Sequence, residues 1–186
     1  MDNLVPLYTS FDGRIGRKSY WIGVIGIAIA SVIISFILSL IGFAVIPNQA
    51  LFDPATSTVD RAAVSETMNA AMRAAAWGSL IMFVILAIPS LAIAVKRRHD
   101  RANSGLDVYV FFALTLVMLL IQVSGFAYTT IDINGFLVPT PSVLMMILSG
   151  IVGVFSIYLL IVLGFLKGTE GPNAYGPDPV GAAATI

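Results

Sequence analysis

Four stretches of this chain contain no Asp, Glu, Lys, Arg or His: Tyr20–Ile46, Ala74–Val95, Val108–Ile131 and Val143–Leu166. Each is 22 residues or longer. A helix needs about 20 apolar residues to cross a hydrocarbon layer of roughly 30 Å. All four blocks qualify, and the first is long enough to tilt or to run into the headgroups. Four helices this apolar leave almost no polar face to dissolve a bundle in water. A cleaved signal peptide does not explain the first block, because its apolar region would span about 7–15 residues. Charged residues make up 11% of the chain, against about 25% in soluble domains. The chain reads as an all-α membrane protein, a single four-span domain over residues 1–186. The spans are expected near 20–46, 74–95, 108–131 and 143–166.

The placement of Lys and Arg sets the expected orientation. Arg14, Arg17, Lys18, Lys96, Arg97, Arg98, Arg101 and Lys167 fall on one side of a four-span topology, and only Arg61 and Arg73 fall on the other. The basic side is expected in the cytoplasm, N-in and C-in, with residues 1–19, 96–107 and 167–186 inside. Residues 47–73 and 132–142 are then periplasmic. Asp12, Asp100, Asp107, Glu170 and Asp178 lie on the basic side too, which leaves room for arginine–carboxylate pairing. Tyr20, Trp21, Trp77, Tyr109 and Tyr128 fall near span ends, where amphipathic rings prefer to sit.

Within 47–73 the early part is turn-like, with Pro47 and Pro54. STVD at 57–60 reads as a capping box, and the Ala-rich run after it favours a helix. A short periplasmic helix before span two is therefore expected. Pro89 should bend span two, with Ser90 placed to help re-satisfy the freed carbonyl. Ser31, Ser35 and Ser39, with Ser149 and Gly153, have the small-residue spacing that lets spans one and four approach closely. Gln122 reads as an interhelical hydrogen bond.

Two polar segments stand out. KRRHDRANSG at 96–105 holds five charges in six residues and the only histidine, His99. If span two stays helical past Val95, Arg97 and Asp100 can touch at a spacing of three. SGLD at 104–107 reads as a capping box with Ser104 at the start of span three. KGTEGPNAYGPDP at 167–179 is too rich in Gly and Pro for a helix. Its Asn173, Tyr175 and Asp178 suggest a folded loop lying on another part of the chain. One histidine and no cysteine argue against a zinc site, and a phosphohydrolase centre of the His-Asp type needs further histidines. No phosphate-binding or dinucleotide loop occurs, and a net charge of zero gives no sign of nucleic acid. No cofactor, metal or catalytic residue is expected. An arginine-rich run beside a span can instead meet anionic headgroups or phosphates.

FDGRIGRKSYW at 11–21, KRRHDRANSG and GTEGPNAYGPDP at 168–179 together resemble the bacterial inner-membrane family called domain of unknown function 805. Its members are small four-span proteins. The matching residues are Phe11, Gly13, Arg14, Arg17 and Trp21, then Arg97, His99, Asp100, Ser104 and Gly105. In the tail they are Gly168, Gly171, Asn173, Tyr175, Gly176, Asp178 and Pro179. The chain departs from the family pattern at Arg98, usually apolar, at Ala102, often glycine, and at Leu106, usually tryptophan. The resemblance implies a multi-pass protein of the bacterial inner (plasma) membrane and supplies no reaction.

The motif residues are expected to cluster at the cytoplasmic face. Arg14, Arg17 and Arg97 would pair with Asp100 and Asp178, beside His99 and Ser104, while Asn173 and Tyr175 dock the tail. Three functions fit such a chain. The first is a non-enzymatic scaffold or regulator with a membrane-protein partner or a second copy of itself. The second is a binder or modifier of an anionic lipid headgroup or phosphate ligand. The third is a small transporter, which the uncharged spans disfavour.

Overall fold

The structure, a computed structural model, describes residues 4–43, 61–134 and 136–180. Its elements in order are α1 (Leu4–Thr9), α2 (Arg17–Leu38), α3 (Arg61–His99), α4 (Leu106–Ser124), β1 (Tyr128–Ile133), β2 (Phe136–Pro141) and α5 (Val143–Leu160). Beyond α2 the chain kinks within Ser39–Phe43, where Ile41 and Gly42 leave the helical conformation, and a π-helical turn, Ile161–Phe165, prolongs α5. Among the described residues, four helices are long and apolar enough to cross a membrane.

Burial runs opposite to that of a water-soluble protein. Arg97 is 0% exposed, while Val32 and Val154 are 69% and 72% exposed. Apolar side chains pointing outward from all four long helices make sense in hydrocarbon, where only a helix or closed barrel satisfies its own backbone.

α3 is one continuous helix of 39 residues. The helix expected before span two is thus its first turns, and Pro89 lies inside it without ending it. The 57–60 capping box falls outside the described residues. Ser90 makes no side-chain hydrogen bond to a described residue, so it does not relieve the proline. Gly153 has nothing within 4 Å of where a Cβ would stand, and small-residue packing does not occur there. Close approach comes instead at Gly23, against Ile93 of α3.

Two elements depart from the expected plan. α4 ends at Ser124, where Gly125 turns the chain at φ 87°, and the remainder of the third apolar block is strand. β1 pairs antiparallel with β2, in a register that sets Ile133 opposite Phe136 and Tyr128 opposite Pro141. The chain is therefore not all-α. Tyr, Thr and Ile at 128–131 fit a pleated surface better than a helix. Asn134 takes φ 55°, and Asn-Gly between two such runs is a strong hairpin signal. The second addition is α1, a short helix ahead of the first span.

The chain forms two compact units. The first comprises Met1–Val32, Val84–Thr115 and Ile151–Ile186, and the second comprises Ile33–Phe83 and Leu116–Gly150. The core of the first is built from Tyr20, Ala94, Val95, Val108, Leu159 and Leu163. The second holds the hairpin, where the Ser65 hydroxyl of α3 accepts the Leu137 N–H at 3.1 Å.

Candidate functional site

The charged motifs meet in the first unit, around Asp100. This residue ends the 96–100 turn, where its N–H donates to the Lys96 carbonyl at 3.1 Å. One carboxylate oxygen, Oδ1, accepts Nε and Nη2 of Arg14 at 3.2 and 3.0 Å. The other accepts Nη1 of Arg97, three residues back on the same helix. The two arginine side chains are 1% and 0% exposed. Buried charges persist only when paired and hydrogen-bonded. Here two guanidinium groups share one carboxylate, and main-chain carbonyls accept most of their other donors.

Those carbonyls come from the fourth span and the tail. The last carbonyls of a helix have no partner within it, and the widened turn at 161–165 ends with Leu166 N–H donating to Ile161 at 3.2 Å. Arg97 reaches the Leu163 carbonyl from Nε at 2.8 Å and the Leu166 carbonyl from Nη2 at 2.5 Å. The Trp21 indole N–H takes Gly164 at 3.1 Å, and Arg17 takes Phe165 at 3.4 Å. Four successive carbonyls are thus capped by side chains of α2 and α3. Cations at a helix C-terminus also gain from its dipole. Gly164 leaves room for this: a Cβ there would stand 2.8 Å from the Trp21 ring.

The tail is fastened by the same residues. Arg14 donates to the carbonyls of Thr169 and Gly171, each at 2.8 Å. Thr169 N–H and hydroxyl donate to the Asp100 carbonyl at 2.8 and 3.1 Å. Asn173 donates from Nδ2 to the His99 carbonyl at 2.9 Å and to the Thr169 hydroxyl at 3.0 Å. The Tyr175 ring lies flat on His99, with centroids 3.9 Å apart and planes 5° apart. Nδ1 of His99 is 3.1 Å from the Gly13 carbonyl. Asp178 accepts the N–H groups of Gly171 and Val180, both at 2.9 Å, and so shapes the tail's own turn. Gly168 is required by contact, since a Cβ there would collide with the Asp100 carboxylate. Outside this packing, Lys167 and Glu170 form an exposed pair at 2.5 Å. The hydrogen bond from Lys167, with its charge, holds the Glu170 carboxyl below its ordinary value.

The structure therefore brings Arg14, Arg97, His99, Asp100, Asn173 and Tyr175 together. Arg17 sits at the edge on a carbonyl rather than a carboxylate. Ser104 stays outside: it is exposed and makes no side-chain hydrogen bond to a described residue. The start of α4 is made differently from the expected capping box. Gly105, at φ 77°, precedes the first helical residue. Asn103 Oδ1 accepts the Gly105 N–H at 2.9 Å, and Asp107 Oδ1 accepts the N–H of Val108 at 3.1 Å.

Sequence reasoning missed several participants. Arg98 pairs with Asp107 at 2.9 Å, and Tyr158 of α5 donates to the same carboxylate at 3.1 Å. Arg98, a departure from the family pattern, thus has its own local partner nine residues on. Lys96 is buried and donates from Nζ to the carbonyls of Pro6 and Leu7 at 2.6 and 2.8 Å, which fastens α1. The useful signal was a lysine followed by two arginines at the end of one helix, more cations than a single exposed face requires.

The family described as "Protein of unknown function (DUF805)" matches residues 8–177. The chain belongs to this family. It is 30% identical over 173 residues to "Uncharacterized protein YiiR" of Escherichia coli strain K12, covering 91% of this chain and 85% of that protein. The protein of the same name in Escherichia coli O157:H7 matches equally. No solved structure matches the chain. The matched stretch includes Arg14, Arg97, His99, Asp100, Asn173 and Tyr175, the residues brought together in the cluster. One departure gains an explanation: Ala102 takes φ 52°, a left-handed conformation that glycine adopts without strain.

Proposed function

We propose that this protein is a non-enzymatic scaffold or regulatory protein of the bacterial inner membrane, with the Asp100 cluster at the cytoplasmic face as its structural clamp. One observation carries the reading. Among the described residues no buried side-chain nitrogen or oxygen lacks a hydrogen-bond partner. A binding or catalytic centre keeps groups free for its ligand, whereas Arg14 and Arg97 spend theirs on Asp100 and on main-chain carbonyls. His99 is covered by Tyr175 and turned toward Gly13. The N-in/C-in orientation rests on the eight-to-two distribution of Lys and Arg.

The working surface is then the lipid-facing and cytoplasmic exterior, and the partner is a membrane protein or a second copy of this chain. The test is native mass spectrometry of protein released gently from membranes, beside an Arg17→Ala variant. Arg17 is chosen because it is exposed and contributes one long hydrogen bond. A retained protein subunit in both samples supports the scaffold. A defined anionic adduct lost in Arg17→Ala would sink it in favour of a headgroup or phosphate binder at that face. A bare monomer in both samples would also sink it.

A further inference from the structure

The second unit contains a cavity of about 160 Å³ whose polar groups are arranged in the opposite way. Asn69 and Arg73 of α3 line it, one turn apart on one helix face. Gln122, from the last turn of α4, and Tyr128, Thr129 and Thr130 of β1 complete its polar wall. Of these side chains Thr129 alone is engaged among the described residues, with its hydroxyl 3.3 Å from that of Thr140. The side chains of Asn69, Arg73, Gln122, Tyr128 and Thr130 make no hydrogen bond to any described residue. Gln122 is thus not the interhelical bond its place in the third span suggested.

Arg73 and Thr130 are exposed and Asn69, Gln122 and Tyr128 half-buried, so these five donors converge on one small space that solvent or a ligand can reach. No carboxylate is among the lining residues. Arg73 brings a permanent positive charge and a fork of donors suited to oxyanions. The two amides and two free hydroxyls can each donate as well. A cavity of about 150 Å³ can hold a benzene ring, so a group the size of phosphate fits here.

We propose that this cavity binds a small oxyanion of the phosphate type, held by Arg73 and oriented by Asn69, Gln122, Tyr128 and Thr130. The same chemistry serves a free phosphate and the phosphate of a lipid headgroup. The site is separate from the Asp100 cluster and does not depend on the scaffold reading.

The test uses the full chain in a phosphate-free maltoside detergent. Inorganic phosphate is titrated by calorimetry, and phosphatidylglycerol retention is followed by native mass spectrometry. Arg73→Gln and Gln122→Leu are compared with wild type, with Arg17→Gln as control. The expected result is saturable binding of at least one probe. Binding should weaken about tenfold or more in Arg73→Gln, as loss of a charged hydrogen bond implies, and clearly in Gln122→Leu, but not in Arg17→Gln. Phosphate binding without lipid retention assigns the site to a free solute, and selective retention of phosphatidylglycerol assigns it to a headgroup. Binding of neither probe, or binding that both variants leave intact, or that Arg17→Gln abolishes, overturns the proposal. A second measurement needs no variant. The bound probe should protect Arg73 of the wild-type protein from phenylglyoxal, mapped by peptide mass, and unchanged labelling at saturation overturns the assignment.

Discussion

The cluster around Asp100 and the cavity around Gln122 share parts: arginine, amide, hydroxyl and aromatic groups. They differ in where the donors go. In the first, Arg97 gives its guanidinium to Asp100, Leu163 and Leu166 and has no exposed surface. In the second, Arg73 and Gln122 face a cavity and have no partner among the described residues. A buried polar group that is fully paired specifies a shape, and its loss is felt in stability. A convergent set left unpaired is felt when something arrives to pair with it. The charged motif that draws the eye in the sequence is therefore the clamp, and the inconspicuous glutamine is the better candidate for a ligand.

The sharpest way to break this contrast is Asp100→Ala. It leaves Arg14 and Arg97 buried without their carboxylate, which should cost about 3–5 kcal/mol. A large fall in melting temperature and loss of the protein from membranes are expected. A fall no greater than that of a surface substitution would mean that the cluster is not a clamp. Gly168→Ala comes next. Its methyl group must displace Asp100 or the tail, at about 1–3 kcal/mol, and limited proteolysis should then cut within 168–179 before the helices melt. A tail that stays resistant would show that it is held by something other than this contact. The smallest effect has the opposite sign. Ala102→Gly relieves the left-handed backbone and should stabilise by about 0.5–1 kcal/mol after the entropic cost of glycine, read as a modest rise in melting temperature.

The long helices were legible in the sequence because a bilayer demands length and excludes charge, and both can be counted. The same count misjudged the third block. Tyr128–Ile131 is uncharged and was absorbed into a span, although Gly125, the β-branched run and Asn134 mark a turn and a strand. In the cluster, the residue types and the Arg97–Asp100 spacing could be read from local order. The His99–Tyr175 stack, the four capped carbonyls and the fastening of α1 by Lys96 could not, because each joins residues far apart in sequence. Ser104 was misassigned because a local capping pattern does not say which residue the helix starts on; Gly105, with its positive φ, moved that start.

The capped carbonyls of 163–166 also impose an order on synthesis. Arg97 is made long before Leu163 and Leu166, and Arg14 long before Thr169 and Gly171. Until the fourth span is made, these cations have Asp100 but no acceptor on that span. The bundle is therefore latched from its last-made span. A chain halted before Leu163 holds Asp100 but none of the carbonyls at 163–171 that complete the packing of its two buried arginines.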